Sequence, residues 1–197
     1  YLYLCSNETV NGIEFRRDGI PYPNKDEIEN MKIIVDMSSD LTMKEIEWKN
    51  IDMAFACTSK NLGVAGANVT IVNRDLLNDL KVLKSEYNNN IPCTLDWNLY
   101  YESNSLYNTP SIFNIYLINH ILDYYIDNGG IKEMENISRQ KAKLIYDLLD
   151  NSEIYKPFIS NTKIRSNINI PFIVCNGNKD MMSKFLDYCN KNNVVGL

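Results

Sequence analysis

The sequence predicts an α/β protein, with a mostly parallel sheet flanked by helices followed by a small α+β unit. Three observations carry this. Four short apolar runs alternate with polar connections in the first half, and a long apolar helix framed by Pro110 and Gly129-Gly130 comes next. From Asn151 the pattern changes to a half-exposed strand and an amphipathic helix.

The four runs are Leu2–Cys5, Ile33–Asp36, Met53–Cys57 and Asn68–Val72, each rich in β-branched, aromatic or other apolar residues. Near-continuous apolar runs, rather than strict alternation, predict strands covered on both faces. Lys81 to Tyr107 is polar, and Asn88-Asn89-Asn90 with Ile91-Pro92 predicts irregular structure there. Ser111 to Asp127 follows a proline and ends before a glycine pair, the expected asymmetry of a helix. Its apolar residues surround most of the helix, which predicts deep burial. A second helix is expected from about Ile131 to Leu149. Asn167–Val174 alternates before Pro171 like a half-exposed strand, and Lys179 to Asn190 reads as an amphipathic helix. A boundary near Asn128–Ile131 gives expected domains of 1–128 and 129–197.

Composition narrows the function classes. The 197 residues are 45% hydrophobic and 23% charged, ordinary for a globular chain. A net charge of -5 gives no reason to expect nucleic acid or an anionic membrane as partner. No apolar run approaches the ~18 residues that a bilayer span requires. Cys5, Cys57, Cys93, Cys175 and Cys189 are scattered without a CxxC pair, and there is one His, so no metal site is expected. The odd cysteine count and apolar surroundings predict buried, reduced thiols in a cytoplasmic protein. Leu2–Cys5 and Val194–Leu197 both read as strands at the chain's ends, which leads us to expect a fragment.

Three features carry chemistry. Asp36 closes a buried strand in Val35-Asp36-Met37-Ser38-Ser39. Lys60 follows another strand in Ser59-Lys60-Asn61-Leu62-Gly63, and Tyr107-Asn108-Thr109-Pro110 is a polar tip before a helix. In open α/β sheets, ligands gather outside the carboxyl ends of strands. A lysine amine and a strand-end carboxylate suit pyridoxal phosphate: the amine bonds the cofactor aldehyde, and the carboxylate keeps the ring nitrogen protonated. Spacing alone leaves the plainer readings open, with Asp36 a turn residue and Lys60 a solvated lysine.

Ordered blocks then point to one family. Cys5-Ser6-Asn7-Glu8-Thr9-Val10-Asn11-Gly12-Ile13 resembles the phosphoserine aminotransferase pattern Cys-x-Asn-Glu-Thr-x-x-Gly-(Ile/Val). Asp36-Met37-Ser38-Ser39 and Lys60-Asn61-Leu62-Gly63 with Ala65-Gly66 are similar to that family's Asp-(Met/Phe)-Ser-Ser and Lys-Asn-x-Gly-x-Ala-Gly. Asn104 to Pro110, Gly129-Gly130 with Met134-Glu135, and Arg165 to Phe172 follow in the family's order, so the resemblance spans the chain.

The resemblance implies a fold-type I pyridoxal-phosphate transferase, with 1–128 part of the large domain and 129–197 the connecting helix and part of the small one. It implies a cytoplasmic homodimer with shared active sites. Glutamate and 3-phosphohydroxypyruvate would be the substrates, in serine biosynthesis. Lys60 would carry the cofactor and shuttle the proton, and Asp36 would pair with the ring nitrogen. Thr9 would bond the ring hydroxyl and Ser59 the phosphate. Asn108 and Thr109 would reach the phosphate of the neighbouring subunit's cofactor.

The chain departs from the family where Ala56-Cys57-Thr58-Ser59 stands for the usual Ala-Gly-Ala-Gln, and Ser59 is a shorter donor than Gln. The family's Gly-rich phosphate turn, ring-stacking aromatic and Gly-His-Arg stretch fall outside the sequence. A non-catalytic relative serving in dimerisation and another fold-type I enzyme, such as a cysteine desulfurase, are the alternative readings. Outside the matched chemistry, His120 is expected to pack in its helix and Arg165 to play a structural part near a strand start. The sequon Asn68-Val69-Thr70 is discounted as buried in a strand.

Overall fold

The computed structural model describes all residues except 17, 30, 87–89 and 197. Contacts group the chain into two units, Tyr1–Ser6 with Tyr22–Ile131, and Asn7–Pro21 with Lys132–Leu197.

The first unit is built on four strands at the expected places: β1 (Leu2–Cys5), then, beyond the short β2 (Asn7–Glu8) and β3 (Ile13–Glu14) of the second unit, β4 (Ile33–Asp36), β5 (Met53–Cys57) and β6 (Asn68–Val72). Their order is β1-β4-β5-β6. β4 runs parallel to β1 and β5, and β6 returns antiparallel to β5. The sheet is therefore mostly parallel, as predicted.

The expected burial on both faces is not met: the two middle strands are fully buried on one face, while on the other Met53 is buried and Ile34, Phe55 and Cys57 are half-buried. Ile33, Val35, Ala54 and Ala56 make up the buried face, and burial of Ile33 or Val35 stabilises by up to roughly 1.5–3 kcal/mol each. β1 and β6 are the outer strands and are half-exposed, with Tyr3 and Ile71 open to solvent. Asn68, expected to be buried, is also exposed. The Asp52 carboxylate accepts the Ile33 N–H at 2.9 Å and the Lys25 ammonium at 2.7 Å, which satisfies the start of β4.

Helices α1 (Arg74–Glu86) and α2 (Trp97–Glu102) occupy much of the stretch expected to be irregular, while Asn88 and Asn89 lie outside the described residues. Leu76 and Leu77 anchor α1, and the Asn73 side chain caps it by accepting from Asp75 N–H at 2.9 Å. α3 (Ile112–Asp127) is present but not deeply buried. One stripe faces the unit, including buried Asn114 and Ile118 and half-buried Ile121 and Tyr125, while Ile112, Phe113, Tyr116 and Ile126 are each more than half exposed. A helix apolar all round buries only the stripe that finds a neighbour.

The second unit's later segment begins in the first turn of α4 (Gly130–Asn151) and continues through β7 (Tyr155–Pro157), β8 (Phe172–Val174) and α5 (Lys179–Lys191). Ala142, Tyr146 and Leu149 of α4 form its core with Tyr155, Ile170 and Phe172. The expected strand over Asn167–Val174 is confined to β8, and 194–196 carry no regular structure. A single cut near residue 128 did not anticipate that 7–21 groups here. Main-chain and guanidinium contacts explain it: Glu14 N–H donates to Ile164 O at 3.0 Å, and Arg16 donates to the carbonyls of Thr162, Lys163 and Arg165. The thiols also depart from expectation. None of the five is in a disulfide, but only Cys189 is buried.

Candidate active site

Asp36 and Lys60 follow from strand chemistry. Asp36 ends β4, where its carboxylate leaves the ladder half-buried. Its Oδ1 accepts the Ser38 N–H at 2.8 Å, an Asx-type turn that fixes the carboxylate's orientation. Its Oδ2 accepts the Tyr3 hydroxyl at 3.4 Å, and the Tyr3 ring stacks on Phe55 of β5. Partial desolvation, then the Asp36 charge, pushes the Tyr3 phenol's pKa up, so it remains a donor well above neutral pH. Tyr3 was not singled out by the sequence, and Ser38 entered only as part of the Asp36-Met37-Ser38-Ser39 block, without a role.

Beyond β5 the chain turns through the lysine loop. Buried Thr58 closes that loop, its hydroxyl donating to Val64 O at 2.6 Å and Ala67 O at 3.1 Å. Gly63 and Gly66 take φ of +112° and +118°, and each lies against α3. A Cβ on Gly63 would come within 2.4 Å of Ile121 Cδ1, and one on Gly66 within 2.6 Å of Asn114 Nδ2. The Lys-Asn-x-Gly-x-Ala-Gly spacing thus has a steric cause. Asn114 Nδ2 also donates to Ala65 O. Lys60 itself is exposed on this loop.

Ser38 joins the two strand ends, since its hydroxyl accepts the Cys57 N–H at 3.2 Å. Ser59 is exposed and donates to Cys57 Sγ at 3.4 Å. That hydrogen bond foremost, with help from the Lys60 charge, lowers the Cys57 thiol's pKa. Below the turn, Asp40 Oδ2 accepts Ser6 Oγ at 2.5 Å and Lys44 Nζ at 2.6 Å, all three buried. The sequence did not reveal this buried ionic cluster, because nothing in it signals that Asp40 and Lys44 are enclosed.

Asn108 and Thr109 are exposed in the loop before α3. Thr109 stands two residues ahead of Ser111, whose hydroxyl donates to Asn114 Oδ1 at 2.8 Å. Thr9 lies in the second unit, exposed at the turn between β2 and β3. Glu8 builds that turn by accepting Asn11 N–H at 2.6 Å and Val10 N–H at 2.8 Å, which lowers its pKa. Buried Asn7 ties the turn to the Arg165 block, accepting Ser166 Oγ at 2.5 Å and donating to Asn169 Oδ1 at 2.7 Å. Two sequence blocks some 160 residues apart therefore form one hydrogen-bonded element. Arg165 forks onto Asp150 at 3.0 and 2.9 Å and lies 3.7 Å over the Tyr146 ring, a structural anchor. His120 packs edge-on against Tyr116, with centroids 4.4 Å apart.

The family is settled by comparison with known proteins. The profile described as "Aminotransferase class-V" matches residues 1–193. The chain belongs to the class-V aminotransferases. A phosphoserine aminotransferase of Lysinibacillus sphaericus (strain C3-41) is 34% identical over 197 residues, covering 100% of this chain and 50% of that protein. A probable phosphoserine aminotransferase of Dictyostelium discoideum is 32% identical over 198 residues, again 100% of this chain and 50% of that protein. The crystal structure of pyridoxal-phosphate-bound phosphoserine aminotransferase from Trichomonas vaginalis superimposes with a TM-score of 0.83 at 31% identity, covering 100% of this chain and 52% of that one. The fold is that of the fold-type I aminotransferases. The chain spans about half the length of the curated relatives it matches.

The class-V residues present here fit pyridoxal phosphate. Asp36 offers an oriented carboxylate, and Lys60 an accessible amine on a shaped loop next to it in the fold. Ser59, Asn108 and Thr109 supply short donors at exposed positions in the same unit. Among the described residues no group of His, Cys, Asp and Glu could hold a metal ion, and no helix is long and apolar enough to cross a membrane.

Proposed function

We propose that this chain is the part of a phosphoserine aminotransferase that holds the catalytic lysine, and that the whole protein moves the amino group of glutamate onto 3-phosphohydroxypyruvate. The observation that carries the reading is Asp36 at the end of β4 and Lys60 on the loop that leaves the neighbouring parallel β5, with Ser38 tying the Asp36 turn to Cys57 at the end of β5. The likeness to phosphoserine aminotransferases along the full chain supports the substrate pair.

When bound, pyridoxal phosphate supplies an electron sink that makes the substrate's α-proton removable. Lys60 is assigned the covalent attachment and the general base and acid at the α-carbon. Asp36 is assigned to the ring nitrogen, where it would favour the protonated ring, with Ser38 and Tyr3 orienting its carboxylate. Ser59 is assigned to the phosphate of the same cofactor, Thr9 to the ring hydroxyl, and Asn108 with Thr109 to the phosphate of a partner subunit's cofactor. That last assignment requires a homodimer, which the exposure of both residues supports. Tyr1–Ser6 with 22–128 is assigned to the cofactor-binding domain, and 129–197, in one unit with Asn7–Pro21, to the connecting helix and part of the small domain. Five cysteines outside any disulfide support a cytoplasmic location.

The test is a coupled assay of the full-length gene product with glutamate and 3-phosphohydroxypyruvate. O-phosphoserine and 2-oxoglutarate in equal amounts are expected. Turnover with other amino-group acceptors, and none with 3-phosphohydroxypyruvate, would point to a different fold-type I activity.

A further inference from the structure

We propose that Asn61 is a positioning residue that sets the separation between Lys60 and Asp36; the proposal rests on the cofactor reading above. A planar ring gripped at one end by Lys60 and at the other by Asp36 tolerates little change in the distance between them. Asp36 is fixed by the ladder, where it pairs with Phe55. Lys60 is not, because β5 ends at Cys57 and the lysine rides the loop that follows.

Asn61, the next residue, supplies the missing restraint. Its Nδ2 donates to Ser39 O at 2.9 Å and to Leu41 O at 3.2 Å, two carbonyls of the turn that leaves Asp36. Its own carbonyl accepts the Tyr125 hydroxyl of α3 at 2.6 Å. One residue thus gathers the carboxylate's turn, the lysine loop and the helix behind it. The chemistry demands an amide: its two N–H groups serve two carbonyls, whereas a carboxylate of the same shape has no proton to give and would face both oxygens with like charge. Burial, the largest influence on the Tyr125 phenol, pushes its pKa up and keeps it a donor.

The experiment uses the full-length gene product loaded with pyridoxal phosphate, as parent, Asn61→Asp and Tyr125→Phe. Each is reduced with borohydride and mapped by peptide mass, and each unreduced sample is read by visible circular dichroism per bound cofactor and by single-turnover reaction with glutamate. The expected result is that Lys60 is labelled in all three. Asn61→Asp loses at least half of the dichroism per bound cofactor and slows about 10–100-fold, and Tyr125→Phe shifts both in the same direction by less. A merely structural residue would lower thermal stability and occupancy but leave the dichroism per bound cofactor unchanged. Should Asn61→Asp fail to fold, Tyr125→Phe, which removes a single hydroxyl, decides. A labelled parent whose variants match it in dichroism and rate overturns this inference alone. A parent in which Lys60 takes no label overturns the cofactor reading and this inference with it.

Discussion

Ser38 donates its main-chain N–H to the carboxylate of Asp36 at 2.8 Å while its hydroxyl accepts the N–H of Cys57 at 3.2 Å, so one small residue orients the acid and joins its strand to the one leading to Lys60. Asp36→Asn keeps the shape and an acceptor for Ser38 but removes the charge. We expect a protein that folds and binds cofactor more weakly, with the glutamate half-reaction slowed by about 10²–10³-fold, the scale of losing one charge-stabilising group. Stopped-flow absorbance measures it.

The glycines of the lysine loop make a steric prediction. Gly63→Ala or Gly66→Ala combines a positive φ with a Cβ under 3 Å from α3. Each is expected to destabilise by about 1–3 kcal/mol and to reduce labelling of Lys60. Urea unfolding and peptide mapping read the two effects separately.

Arg165 gives a stability prediction in the second unit. Arg165→Ala removes both hydrogen bonds to Asp150 and the contact with Tyr146. Asp150 is 43% exposed, so solvent screens the ion pair, and the total expected loss is about 1–2 kcal/mol. Arg165→Lys, which keeps charge without the fork, should recover part of it.

The same region predicts an alkaline limit. Tyr146 is buried and its hydroxyl donates to Ser166 O at 2.8 Å, and burial pushes its pKa up to about 12 from the ordinary 10.0. The folded state then holds a proton that the unfolded chain releases first. Stability from this group is full below pH ~10 and is lost as pH rises through about 12. Tyr146→Phe should flatten that slope in urea titrations between pH 9.5 and 12, at the cost of one hydrogen bond; an unchanged slope would rule Tyr146 out as its source.

Much of this was legible in the sequence. The four sheet strands appear at the predicted residues because each is a compact apolar run, and Asp36 and Lys60 are marked by falling just at or after strand ends. α4 and α5 carry clear one-sided patterns. α1 was hidden by its polar composition, since Leu76 and Leu77 are its buried residues. The burial of α3 was misjudged because apolarity around a helix states what could be covered, not what is. Ile112, Phe113, Tyr116 and Ile126 remain exposed. The 197-residue chain alone is accordingly expected to aggregate, and polar substitutions at these four positions should reduce light scattering. Tyr3 escaped notice as a partner of Asp36 because a hydrogen bond across strands depends on register, which single residues do not announce.

Lys60 is proposed to carry the cofactor, and borohydride trapping tests this most directly. The full-length gene product and its Lys60→Ala variant are incubated with pyridoxal phosphate, reduced, digested and mapped. We predict a pyridoxyl mass increment on the peptide containing Lys60 in the parent and its absence in the variant, together with loss of the visible band. Equal labelling of other lysines in both proteins, with Lys60 unmodified, would contradict the account.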